Sequence, residues 1–443
     1  MHAPILTWQP EDRAFWRREG ASIARRNLLV SIPALVLSFA VWTLWSVMVV
    51  MLPRAGFHFT TEQLFWLAAA PGLAGGTLRL FFAFAVPIFG GRIWTTVSTL
   101  LLLVPVLGLA FAVQDPATGY PTFLLLALSA GVGGGNFASN MANVSFFYPL
   151  ERQGTVLGLN AGLGNLGITL AQLVVPLAAT GAILDGMAGE PHAWTEGVAT
   201  RGLVLQHAAY VWVPAILAVA ALAWRFMDDL PGIEDRAAEQ AIVFVRRDTW
   251  VLAWLYLGTF GSLIGFSASF SLVTETQFAG VNAVSFAFAG PLAAALARPV
   301  GGWLADRVGG AQVALASFAL MAAAVGILLA APVTLAGYLA VFAVLFVASG
   351  AGNGAVFQLI PAVFNARARA TASRDGPLHA AAALGLASGI AAFGGFFIPK
   401  AYGTAVALTG GLRAALVPFL VFYLTCIAAT AWFYLPRPER KPR

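Results

Sequence analysis

Charge is what this sequence has least of. Asp, Glu, Lys and Arg make up 10% of its 443 residues, where a soluble domain carries about a quarter. There is one cysteine, Cys426, in an apolar stretch, which excludes an internal disulfide and any cysteine-based metal centre. The five histidines are scattered without ligand spacing, so neither a metal nor a cofactor is expected. Carboxylates are almost missing from the long apolar runs: Glu62, Glu275 and Asp306 fall at their ends. Without a carboxylate dyad or a nucleophile–base pair, enzyme chemistry has nothing to work with. A polar start with Glu11, Asp12, Arg13, Arg17 and Arg18 reads as no cleaved leader.

Hydrophobic residues are plentiful, at 59% of the chain with mean hydropathy +0.81. Runs long enough to cross a bilayer, roughly 20 residues each, fall near 28–50, 64–88, 93–113, 122–147, 155–180, 204–226, 250–273, 283–305, 311–331, 335–363, 379–399 and 413–435. With the N-terminus cytoplasmic, nineteen of the 25 basic residues lie inside and four, Arg54, Arg201, Lys400 and Arg413, outside. This bias predicts that both termini are cytoplasmic. It also explains the net charge of +6 without a nucleic-acid partner; the expected surroundings are a lipid bilayer. The most polar interruption, 227–249, divides the spans into six and six. The expected organisation is a cytoplasmic segment 1–27, a first bundle 28–226, a linker 227–249, a second bundle 250–436 and a tail 437–443. Trp8, Phe15 and Trp16 among the early charges fit either a helix lying on the membrane face or a loose tail.

Two basic residues remain, Arg79 and Arg298, inside the second and eighth spans. Each lies 11 residues before a Gly pair, Gly90-Gly91 and Gly309-Gly310, and they are 219 residues apart. The same offset carries Gly131, Gly133 and Gly135 onto Gly350, Gly352 and Gly354. In the fifth and eleventh spans GLNAGLGNLG (158–167) matches GLASGIAAFG (385–394). Three matches in the same order make two parallel repeated halves. The expected fold is an all-α membrane protein of twelve transmembrane helices in two pseudo-symmetric six-helix bundles.

The segment ARPVGGWLADRVGG (297–310), with Gly302, Asp306, Arg307 and Gly309, resembles the loop signature of the major facilitator superfamily. In the first half the matching loop, FGGRIW (89–94), lacks the acidic residue. GTLRLFFAF, GGGNFASNMANVSFFYP, GLNAGLGNLG and ALARP together resemble the NarK-type nitrate/nitrite porters, from about Trp8 to the last span. The long central loop of the eukaryotic members is absent, so the resemblance points to the bacterial branch and a multi-pass protein of the inner membrane.

An arginine in mid-membrane costs at least ~2.5–3.5 kcal/mol. At 1.5 Å per residue, the 11-residue spacing puts both arginines roughly 16 Å from the Gly pairs, near the midplane. No carboxylate is available there, so a bound anion is the simplest partner; bonding to helix carbonyls is the alternative. A guanidinium's forked donors suit a planar oxyanion. The residues say oxyanion, and the resemblance implies nitrate and nitrite. It further implies that Phe137 and Phe260 sandwich the anion, that Tyr256 donates a hydroxyl and that Asn165 is the best uncharged donor, with Ser388 a weaker candidate. Gly158, Gly162, Gly164 and Gly167, with Gly385, Gly389, Gly394 and Gly395, match the family's signature glycines. On physical grounds they allow close helix packing or give surfaces that slide.

Two uncompensated positive charges should hold the empty carrier still, which favours nitrate/nitrite exchange by alternating access. Proton-coupled symport is the alternative mechanism, and another small anion, such as formate or an organic phosphate, the rival substrate. The chain is expected to be a monomeric carrier and not an enzyme.

Overall fold

The computed structural model describes residues 5–183, 192–196, 199–231, 245–330, 333–371 and 376–435. Arg236, Arg374, the tail 437–443 and most of the 227–249 linker lie outside the described residues. Among the described residues, twelve helices are long and apolar enough to span a bilayer: α1 Arg13–Arg54, α2 Thr61–Phe82, α3 Gly91–Ala112, α4 Tyr120–Phe147, α5 Leu150–Ala179, α6 His207–Phe226, α7 Arg247–Gln277, α8 Ala283–Val308, α9 Gly310–Ala330, α10 Leu335–Ala370, α11 His379–Thr409 and α12 Arg413–Tyr434. Helices satisfy their backbone groups internally, which hydrocarbon demands. Large apolar side chains such as Phe81, Leu125, Leu296, Ile327 and Val421 point outward. An even number of spans places the start of α1 and the end of α12 on one face, called here the terminal face. The Arg247 guanidinium of α7 caps the Phe433 ring of α12 there, 4.2 Å from its centroid. One departure from an all-helical chain is a short antiparallel ribbon between α5 and α6 on the far face, β1 His192–Glu196 with β2 Ala199–Leu203.

Residue 27 does not mark a break. Asp12 caps the helix through Ala14 N at 2.8 Å, and the chain then runs helically through a π turn, Trp16–Gly20, into the first span. The preceding residues clip onto α4: Trp8 Nε1 donates to Phe146 O at 3.0 Å, and its ring meets Phe147 edge-on at 5.5 Å.

The repeated loops behave alike in their backbone. Gly90 and Gly309 have φ of 84° and 102°, a region that glycine alone enters freely. In the second loop Asp306 accepts from Gln358 Nε2 at 3.3 Å, and Arg307 lies 3.9 Å from the Trp303 ring centroid. In the first loop the missing acid comes from elsewhere: Asp229, just beyond α6, accepts from Arg92 N at 2.8 Å and pairs with Arg92 Nε at 3.3 Å.

The bundles are joined on the far face. Arg54 of α1 donates to Glu275 of α7 at 2.7 Å and to Asn282 at 3.2 Å. Lys400 of α11 reaches Glu62 of α2 at 3.2 Å. Between these pairs α2 and α11 touch backbone to backbone at Gly72 and Gly395. On the terminal face the ion pairs Arg26–Asp228, Arg92–Asp229 and Arg367–Asp248 stay within one half. A cavity of about 440 Å³ opens there between α5, α10 and α11, lined by Gln153, Leu157, Phe357, Asn365, Arg369 and Leu384. The molecule is shut on the far face and open on the terminal face.

Candidate functional site

Arg79 of α2 is buried, 1% exposed, at the centre of the bundle interface. Its Nε donates to Gly134 O of α4 at 2.8 Å, and its Nη1 crosses to Ser388 O of α11 at 2.7 Å. Four rings enclose the guanidinium: Phe137 at 4.5 Å, Trp42 at 5.2 Å, Phe260 at 5.3 Å and Phe39 at 6.0 Å from centroid to Cζ. Aromatic faces attract a cation, and more so away from water. Gly134 makes the approach of α4 possible, since a side chain there would strike Trp42 and Gly75.

Arg298 of α8, 4% exposed, makes the matching reach in the opposite direction. Its Nη1 donates to Ala161 O of α5 at 3.3 Å, and the Phe357 ring lies 5.1 Å away. Tyr256 stands beside Arg298 without a hydrogen bond of good geometry to it. Among the described residues no partner meets Arg79 Nη2, Arg298 Nη2, Tyr256 Oη or either amide atom of Asn165. Buried polar atoms left unpaired are costly, and here donors from both bundles share that condition. The arrangement leaves two guanidinium N–H groups, a phenol and an amide available to an anion while carbonyls hold the rest.

Two helix irregularities set this geometry. A π turn, Leu257–Gly261, lies directly after Tyr256 in α7, and such turns gather at functional sites. It keeps the Tyr256 and Phe260 rings stacked at 5.5 Å and 11°. In α5 the helix tightens at Asn165, where Ile168 N donates to Asn165 O at 3.1 Å, and Gly164 and Gly167 flank the turn.

The structure brings the expected residues together around the arginines. The Phe137 and Phe260 centroids are 6.1 Å apart at 29°, and both rings lie against the Arg79 guanidinium. Ser388 meets Arg79 through its carbonyl, while its hydroxyl donates back to Gly385 O at 2.7 Å. The signature glycines divide into two groups. Gly164 and Gly167 pack on α1, Gly394 on Gly261 of α7 and Gly395 on Ile264 and Gly72. Gly162 and Gly385 have nothing within 4 Å of a Cβ position, Gly158 has only Phe357 at 3.8 Å, and Gly389 faces Leu80 and Arg79. Phe39, Trp42 and Phe357 complete the site without a sequence signal, because an aromatic in an apolar span looks the same wherever it points. From the terminal face a cavity of about 80 Å³, lined by Phe84, Ala138, Met141, Leu157 and Gly385, reaches Arg79.

Two parallel six-helix halves with a buried cationic site between them, reached from one face, define a secondary carrier of the alternating-access kind. Residues 30–399 match the Major Facilitator Superfamily. The chain is 46% identical over 457 residues to the nitrate/nitrite transporter NarU of Salmonella typhimurium, covering 99% of this chain and 97% of that protein. It is 43% identical to NarU of Escherichia coli (97% and 96% covered) and 38% identical to the "Probable nitrate/nitrite antiporter NarK2" of Thermus thermophilus (99% and 98% covered). The chain belongs to the Major Facilitator Superfamily and, within it, to the family of the NarU and NarK nitrate/nitrite transporters. In fold it also matches a bacterial homologue of the human lysosomal transporter Spinster, crystallised inward-facing and occupied. The TM-score is 0.63 at 17% identity, over 94% of this chain and 96% of that one.

Proposed function

We propose that the chain carries nitrate and nitrite across the bacterial inner membrane by exchange, one anion at a time, between Arg79 and Arg298. The observation that carries this reading is the pair of buried guanidiniums, one from each bundle, each with an unpaired Nη2. The names and near full-length similarity of the relatives supply the identity of the anion. Nitrate is small, flat and weakly hydrated, so two forked donors from opposite sides suit it. Arg79 and Arg298 provide the charge, Tyr256 and Asn165 the neutral donors, and Phe137 and Phe260 hold Arg79 in place. Ser388 and Ala161 position the guanidiniums through their carbonyls.

The terminal face is the cytoplasmic one on this reading, because most of the basic residues border it. The structure then corresponds to the inward-facing state of a carrier that works as a single chain. Proteoliposomes holding the purified chain should take up labelled nitrate when preloaded with nitrite or nitrate. Equal uptake of formate, with no competition from nitrate, sinks the substrate assignment.

A further inference from the structure

Beyond Asn165 toward the far face, α5 carries Thr169 and Gln172, so the three recur at helical spacing on one side of the helix. All are buried, at 1%, 7% and 1% exposure. Gln172 Nε2 crosses the bundle interface to Ser267 O of α7 at 2.7 Å and also meets Ser46 Oγ of α1 at 3.2 Å. Thr169 Oγ1, Gln172 Oε1 and Ser271 Oγ find no partner among the described residues. A row of polar groups in mid-membrane that packing does not satisfy is expensive, and ordinarily marks a substrate path. A void of about 10 Å³ lies beside this row between α1, α2, α7 and α11, lined by Trp42, Ser46, Gly72, Ile264 and Gly395. It links Trp42, which encloses Arg79, to Ser46, which Gln172 touches.

We infer that Gln172 is the far-face gate of the carrier and its outer anion contact. With the far face shut, its amide ties α5 to the Ser267 carbonyl of α7. When the bundles part there, the same N–H is released. Together with the Thr169 and Ser271 hydroxyls it receives an inorganic oxyanion about 10 Å short of Asn165, at 1.5 Å per residue over seven residues. A neutral amide suits this position. It hydrogen-bonds an anion without the charge that would hold it, so release toward the arginines stays fast.

The inference rests on the anion-carrier reading, and its test is partly independent of nitrate. Ser271→Cys serves as reporter, with Cys426 buried and silent, for an impermeant thiol reagent added outside right-side-out vesicles. Without nitrate, labelling should be slow, and Gln172→Leu should speed it about fivefold, the effect of losing one hydrogen bond. Gln172→Met, of similar length but without an N–H to donate, should do likewise, and it serves where the leucine variant fails to insert. In exchange assays on chains that keep Ser271, both variants should raise the half-saturation concentration for external nitrate severalfold and leave the internal one unchanged. Unchanged labelling in an inserted variant overturns the gate. Faster labelling with an unaltered external half-saturation overturns the anion contact. Failure of the unsubstituted chain to exchange nitrate counts against the substrate reading, and the nitrate-free labelling rates still decide the gate.

Discussion

Arg79 of the first bundle donates across the interface to the carbonyl of Ser388 in the second, at 2.7 Å. Arg298 returns the gesture to Ala161 O at 3.3 Å. Positions 161 and 388 are equivalents in the repeat, 227 residues apart like Gly158 and Gly385. Each arginine therefore leans on the same carbonyl of the opposite bundle's glycine-rich helix. Rocking the bundles must break both bonds and leave two guanidiniums in a medium of low dielectric constant. An anion seated between them offers replacement bonds that travel with the moving parts.

Arg79→Lys and Arg298→Lys should each lower exchange about 10- to 100-fold, the loss of one charge-assisted hydrogen bond. An ammonium cannot hold a carbonyl and an anion oxygen in one plane. Arg79→Lys should be the worse of the two, since four rings shaped around a flat guanidinium surround it. Near wild-type exchange by either variant, with normal insertion, removes the two-arginine site.

Gly162→Leu and Gly385→Leu should fold normally, because neither Cβ position has an atom within 4 Å. The open terminal cavity accepts the side chain. Closing that face brings α5 and α11 together, and the leucine then stands in the way, so exchange should fall at least tenfold while nitrate still binds. Gly164→Leu is the contrast: it collides with Leu35 of the same bundle and should lower thermal stability by about 1–3 kcal/mol. Melting curves beside exchange rates separate the two cases. Unimpaired exchange in Gly162→Leu and Gly385→Leu shows that those helix faces never meet.

The Arg54–Glu275 pair is mostly buried, with side-chain exposures of 15% and 20%, and it joins the two bundles on the far face. Glu275→Gln should shift the carrier toward the far-open state by roughly two- to tenfold, from a partly screened pair. Spin labels at the far ends of α1 and α7 would report the longer distance. The double exchange Arg54→Glu with Glu275→Arg should restore the short one, and a distance distribution identical in all three chains rules out a latch.

The spans, the repeat and the placement of Arg79 and Arg298 between two halves were legible because each leaves a periodic or compositional trace. The 219-residue offset even matched the two positive-φ glycines, Gly90 and Gly309. What the sequence hid is what depends on tertiary proximity. Asp229 replaces a loop acid from a distant helix end, so no local pattern announces it. The π turn after Tyr256 and the tightened turn at Asn165 come from how glycine-rich helices fit against neighbours. Hydropathy, blind to direction, could not separate Trp42 and Phe357 from lipid-facing aromatics. Helix carbonyls as guanidinium partners were foreseen only as an alternative to an anion; the structure puts carbonyls on Nη1 and, among the described residues, leaves Nη2 of both arginines without a partner.

Coupling follows from the charges in the path. Glu62 and Glu275 sit on the far face in ion pairs with Lys400 and Arg54, and Asp306 belongs to the terminal-face loop. None of these can ferry a proton past Arg79 and Arg298. The two guanidiniums keep their charge throughout, so the empty site carries an excess that a monovalent anion lowers by one. Reorientation should then be fast only when an anion is bound. Nitrate uptake into liposomes should require nitrite or nitrate inside, should saturate with the internal anion, and should persist when an uncoupler dissipates the pH gradient. An inward proton gradient across anion-free liposomes should drive little uptake. Strong accumulation under that gradient, abolished by the uncoupler, would overturn exchange and turn attention to the Tyr256 hydroxyl, the titratable group beside both guanidiniums. It would leave the nitrate site itself in place, since the same two arginines would still have to bind the anion.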